Sequence, residues 1–128
     1  VIFAGYWLDR GGPDAKAKEF LHSLKGKKIV LFETMGASPT SEHALTAFAN
    51  AGASLSDDNS VIGAIAFQGA IDPALIVMMK KMPAGSPHHS AKMEATTKEA
   101  ANHPNQEDLD RTTAYMKAFV EKFSKYYH

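Results

Sequence analysis

Hydrophobic positions along this chain alternate between short continuous runs and stripes at helical spacing. Val1-Ile2-Phe3-Ala4-Gly5, Lys28-Ile29-Val30-Leu31-Phe32 and Val61-Ile62-Gly63-Ala64-Ile65-Ala66-Phe67 are apolar runs bounded by turn residues, the pattern of strands buried on both faces. After the first run, Pro13 and Asp14 suit a helical first turn, Phe20, Leu21 and Leu24 form a stripe, and Gly26 ends the helix. After the second, Thr40 or Ser41 caps a helix over about 41–51, with Leu45 and Phe48 predicted inward and Gly52 as its stop. A polar stretch from Ala53 to Ser60 then reads as loop. The small residues of the third run let a helix approach its backbone closely.

Downstream, Asp72-Pro73 starts a short helix whose Leu75, Ile76, Met79 and Met82 are expected in the core, and Pro83-Ala84-Gly85-Ser86-Pro87 breaks it. A weakly amphipathic, mostly exposed helix is expected around 91–101. His103-Pro104 interrupts it, and Glu107, Asp108 and Asp110 then set negative charge at the start of a last helix, where the macrodipole favours it. Leu109, Thr113, Met116, Val120 and Phe123 fall at helical spacing, so this helix should pack on the sheet.

Strands alternating with helices predict an α/β domain with parallel strands, here one domain over residues 1–128. Right-handed crossovers adding strands in one direction place the helices near 13–25 and 41–51 on one face. The C-terminal helix is then left to cover the other face almost alone. The first strand would also have an open edge, and the chain is expected to lack an N-terminal strand–helix–strand unit beside it.

Composition narrows the class further. With 45% apolar and 22% charged residues the chain is ordinary soluble globular protein. Fourteen basic and fourteen acidic side chains balance, so neither nucleic acid nor an anionic membrane is an expected partner. The absence of cysteine excludes disulfides, thiolate nucleophiles and cysteine-ligated metals, and is compatible with a cytoplasmic location. No apolar run approaches the roughly 20 residues of a membrane span.

Each strand runs into a loop at its carboxyl end, where ligands sit in open α/β sheets. These loops are Gly5-Tyr6-Trp7-Leu8-Asp9-Arg10-Gly11, Thr34-Met35-Gly36-Ala37 and Phe67-Gln68-Gly69. Together with Ser41-Glu42-His43 and His103-Pro104, they make the chain resemble the flavodoxin-like FMN-binding family, in the branch with a tryptophan in the loop after the third strand. The likeness runs over nearly all of the chain and implies a three-layer α/β/α fold with a parallel sheet, and FMN-dependent electron transfer with a redox partner protein. It implies that Trp7, or Tyr6, stacks on the flavin, with Leu8 and Asp9 in the same loop. Thr34, Met35, Gly36 and Ala37 would line the ring's edge, and Gln68 and Gly69 would close the far side. The family's phosphate loop, between its first strand and first helix, has no counterpart in this sequence, so weakened FMN binding is expected. The alternative is a cofactor-free domain that associates, as a homo-oligomer, through its first-strand edge.

Other chemistry has little support in the residues. A Trp7–Tyr6 pair could simply plug the end of the sheet, and Arg10 and Glu33 read as solvated surface charge rather than cofactor or partner contacts. His88-His89 and His103 lack the spacing of a metal site, and adjacent loop histidines diverge. His43 reads as surface, and His128 is a terminus. Gly36-Ala37-Ser38-Pro39-Thr40 fails the pattern of a nucleophile elbow, so hydrolase chemistry is not expected.

Overall fold

In a computed structural model that describes residues 1–126, strands β1 (Ile2–Asp9), β3 (Lys28–Met35) and β4 (Ser60–Gln68) run parallel. A two-residue strand β2 (Gly12–Pro13) turns back antiparallel on β1. The order β2-β1-β3-β4 makes the sheet mixed, where a purely parallel one was expected. The cause is local. Arg10 and Gly11 both take positive φ, 53° and 82°, closing a two-residue hairpin that pairs Asp9 with Gly12. Tyr6, Trp7, Leu8 and Asp9 therefore belong to the strand rather than to a loop, and Pro13 lies in β2 rather than in the following helix.

Helices α1 (Ala15–Ser23) and α2 (Glu42–Ala53) pack on one face. α1 starts at an Asp14 cap that accepts the Ala17 N–H, and α2 at a Ser41 cap that accepts the Ala44 N–H. Leu21 and Leu24 reach the core with Ala4, Tyr6, Ile29, Leu31 and Ala51, whereas Phe20 is exposed. In α2 the inward stripe is Ala44, Ala47, Phe48 and Ala51, and Leu45 turns out to face solvent. The small stripe wins because alanines bring the helix close enough to the sheet to bury backbone as well as side chain.

Helix α5 (Gln106–Tyr126) covers the opposite face, completing three layers. Thr112 and Met116 line an apolar hollow with Phe3, Val30, Phe32, Ile65 and Phe67, and Phe119 sets its ring edge-on to Phe3 at 5.6 Å. Met116 and Phe123 are half-buried as predicted, whereas Leu109, Thr113 and Val120 are exposed and the rest of the packing stripe is Asp108, Thr112, Tyr115 and Phe119. Gly63 permits this approach, since a Cβ there would stand 2.6 Å from the Tyr115 hydroxyl. Helices α3 (Pro73–Lys80) and α4 (Ala91–Ala100) follow β4. α3 buries Met79, but Leu75, expected in the core, is exposed because so short a helix turns only one narrow side inward, and Met82, also expected there, lies exposed beyond the helix end. α4 is mostly exposed, as its weak amphipathicity predicts.

β1 pairs with β3 from Ile2 to Trp7, while β2 takes only Leu8 and Asp9. Among the described residues, the outer edge of β1 is therefore unpaired along most of its length. At the opposite end of the sheet, Asn59 closes the structure by donating to Leu24 O at 2.9 Å and accepting the Lys27 N–H at 3.0 Å. No described helix is long and apolar enough to cross a membrane. His128 lies outside the described residues.

Candidate functional site

The carboxyl ends of β1, β3 and β4 bring the three sequence segments to one rim of the sheet. Trp7 stands in register with Thr34, and Thr34 with Phe67, so the three lie side by side on neighbouring strands. Met35 pairs with Gln68 one step further along. Trp7, Gly36 and Gln68 thus share this rim.

Side-chain direction divides the segments. Alternation along β1 sends Tyr6 and Leu8 toward α1 and α2 and Trp7 to the α5 face. Trp7 is 56% exposed, whereas Tyr6 is 5% exposed. Of the two aromatic residues, only Trp7 presents a ring to solvent. Asp9 is exposed at the hairpin, and Leu8 is half-buried between the two apolar clusters of the α1/α2 face. Thr34 is exposed, Met35 is buried beside Ala44 and Ala66, and Gly36 and Ala37 are half-buried.

The second and third segments are tied to each other. The Gln68 side chain, buried at the end of β4, donates to Gly36 O at 2.9 Å, and the Gly69 N–H donates to Met35 O at 2.8 Å. Ile71 folds over Gly36 so closely that a Cβ there would lie 2.5 Å from its side chain. Ala70 N–H continues the chain of contacts to His103 O at 3.1 Å, and Arg111 donates to Ala66 O at 2.9 Å while its guanidinium lies 5.6 Å from the Phe67 ring centre. The segments are braced by backbone and buried amide bonds, which fix the two loops relative to each other.

Beneath the rim lies a group that sequence reading placed wrongly. Glu33 is not a solvated surface charge: it is fully buried, and Tyr6 donates its hydroxyl to Glu33 Oε2 at 2.8 Å. Oε1 has no hydrogen-bond partner among the described residues. Burial raises the carboxyl to about 7, with the Tyr6 bond pulling the other way, and burial also pushes the Tyr6 phenol upward, so the phenol stays neutral while Glu33 is protonated below about pH 7 and ionises as pH rises through it. The available signal was positional. Glu33 shares the inward alternation of Ile29, Leu31 and Met35, and Tyr6 stands opposite it in the adjacent strand.

Anion-binding capacity at the rim is limited. Helices α1, α2 and α3 all begin there, but Asp14, Ser41 and Asp72 already accept their first free N–H groups, at 3.3, 3.3 and 2.8 Å. Two of these caps are carboxylates, and Glu42 adds a third in the first turn of α2. That charge opposes a phosphate where a bare helix end would attract one. Among the described residues no cluster of three or more His, Cys, Asp or Glu side chains could hold a metal ion.

Comparison with known proteins agrees with this geometry. The chain is similar to the flavodoxin-like domain-containing protein BilS of Clostridioides difficile (strain CD3), with 29% identity over 126 residues, covering 97% of this chain and 72% of that protein. A family model described as a flavodoxin domain matches residues 1–117. With that match spanning most of the three-layer sheet structure, the chain belongs to the flavodoxin domain family.

Proposed function

We propose that the rim formed by β1, β3 and β4 holds the ring system of FMN and that the protein works in electron transfer, as a carrier or as the flavin component of a reductase. One observation carries the reading: an exposed indole, Trp7, stands in register with Thr34 on the same rim as the Gly36 and Gln68 backbone brace. A flat aromatic face offers large contact area at low entropic cost. In this reading Trp7 stacks on the ring, Thr34, Met35, Gly36 and Ala37 line its edge, and Gln68 and Gly69 close the far side. When bound, the flavin supplies the redox chemistry, and the chain orients it and shields one face from water. The residues fit the ring better than the phosphate, because two of the helix ends at this rim are capped by carboxylates, Asp14 and Asp72, and the third, capped by Ser41, carries Glu42 in its first turn. A redox partner protein would meet the exposed side of Trp7.

The test uses Trp7 itself, the only tryptophan in the chain. Titration with FMN and with riboflavin is expected to quench its fluorescence with weak affinities that agree within about threefold, since the phosphate finds no free helix end. With binding followed instead by the fluorescence of the flavin, Trp7→Phe should retain it and Trp7→Ala should lose most of it. Unchanged fluorescence up to millimolar flavin would overturn the reading.

A second reading follows from the unpaired outer edge of β1, which offers backbone hydrogen-bonding groups upstream of Trp7, whose carbonyl already accepts the Asp14 N–H, beside the exposed Phe3. In it the chain is a colourless homo-oligomer joined through that edge, and sedimentation equilibrium with and without flavin separates it from the first.

A further inference from the structure

His103 sits where three elements meet. Its ring Nδ1 lies 2.6 Å from Asp108 Oδ2 in α5, and Nε2 lies 3.0 Å from Glu99 Oε1 in α4. A neutral imidazole carries a single N–H, so both carboxylates accept from the ring at once only when it is doubly protonated. Asp108 is fixed independently: its carboxylate also accepts the Asn105 N–H at 2.9 Å, and its own N–H donates to Asn105 Oδ1 at 3.1 Å, a reciprocal cap at the start of α5. The His103 carbonyl accepts the Ala70 N–H, next to Gln68 and Gly69.

We infer that His103 is a positioning residue for the rim: with both ring nitrogens protonated it clamps α4 to α5 and steadies the β4–α3 loop through Ala70, and with one proton gone the α4 side is released. The clamp is geometric, and only its effect on flavin rests on the function proposed above. The proton leaves Nε2, because the Glu99 side chain is 62% exposed and returns readily to water, whereas Asp108 is 11% exposed and pinned by Asn105. The groups facing the ring are Glu99 from α4 and Asp108 from α5, with Arg111 further along α5 acting on Asp108; the loop after β4 presents the Ala70 N–H. Hydrogen bonds to Asp108 and then Glu99 hold the imidazolium above its usual range. A raised folded value means the clamp is complete below the unfolded value of about 6.5 and is lost as pH climbs through the folded one.

The experiment follows the His103 ring by NMR between pH 5.5 and 9 in the flavin-free chain, together with exchange of the Ala70 amide, corrected for intrinsic rate, and flavin affinity read from Trp7. His103 is expected to titrate above its ordinary value, and Ala70 protection to fall at least about threefold over the same step. Flavin affinity should fall with it. Glu99→Gln, a surface change that leaves the fold intact, should move the step to lower pH, and His103→Gln should abolish it. Flat Ala70 protection while His103 titrates, or a step that Glu99→Gln leaves in place, overturns the inference. A step at Ala70 that tracks His103, with no flavin bound at any pH, upholds the clamp and defeats the cofactor reading.

Discussion

The two faces of this sheet are finished to different standards. Toward α1 and α2, Leu21, Ile29, Ala44, Ala47 and Ala51 have no exposed surface, and even a carboxyl, Glu33, is sealed in. Toward α5, Phe3 remains 43% exposed, Trp7 more so, and an apolar hollow of about 240 Å³ lies between sheet and helix. The difference is one of coverage. A helix with its side chains is about 10 Å wide, while strands repeat every 4.8 Å or so, so two helices can roof this sheet and one cannot. The under-covered face is also the one that presents Trp7. In this molecule tight packing is confined to the α1/α2 side, and the incompletely covered side is where aromatic surface is left open.

That contrast can be broken by mutation. The largest effect is expected on the closed face, where Leu21→Ala should cost about 2–5 kcal/mol in urea denaturation, because Leu21 is fully buried and its helix cannot collapse into the gap. Glu33→Gln comes next and depends on pH. The wild-type carboxyl is raised from 4.5 to about 7 in the folded state, so this group's contribution to stability is most favourable below pH 4.5 and declines as pH rises through 7. The decline removes about 3 kcal/mol in all. Glu33→Gln should therefore match the wild type at pH 4 and exceed it by up to about that amount at pH 8.5; an unchanged pH slope in its melting temperatures would refute the buried-acid assignment. The smallest effect belongs to the open face. Phe3→Ala should cost only about 1–2 kcal/mol, mostly its edge-on contact with Phe119 and a partial burial. Equal losses for Leu21→Ala and Phe3→Ala would mean that the α5 face is closed in solution, by this chain or by a second copy.

Much of the scaffold was legible because it depends on local pattern. The three apolar runs became the three parallel strands, Asp72-Pro73 started α3, and Ser41 capped α2. What failed was facing. Helical spacing predicts Leu45 and Leu75 inward, yet both are exposed, and in α2 it is the small alanines that meet the sheet. The Arg10-Gly11 hairpin went unread because its signal is a pair of positive φ values, and arginine does not advertise one. Glu33 was misplaced because charge argues for solvent, and only the alternation of β3 and a phenol one strand away argue otherwise. The Glu99–His103 spacing of four and the Asn105–Asp108 spacing of three were present in the sequence and would have revealed the His103 cluster.

From residues alone came the alternation of strands and helices, the shared face of α1 and α2, and three segments ending at the carboxyl ends of parallel strands, since each follows from period, turn residues and chain handedness. Which aromatic faces water, which carboxyl is buried, and which loops are hydrogen-bonded to one another were decided only in the folded molecule. Those outcomes depend on contacts between residues 27 to 45 positions apart, and no local pattern encodes a partner that distant.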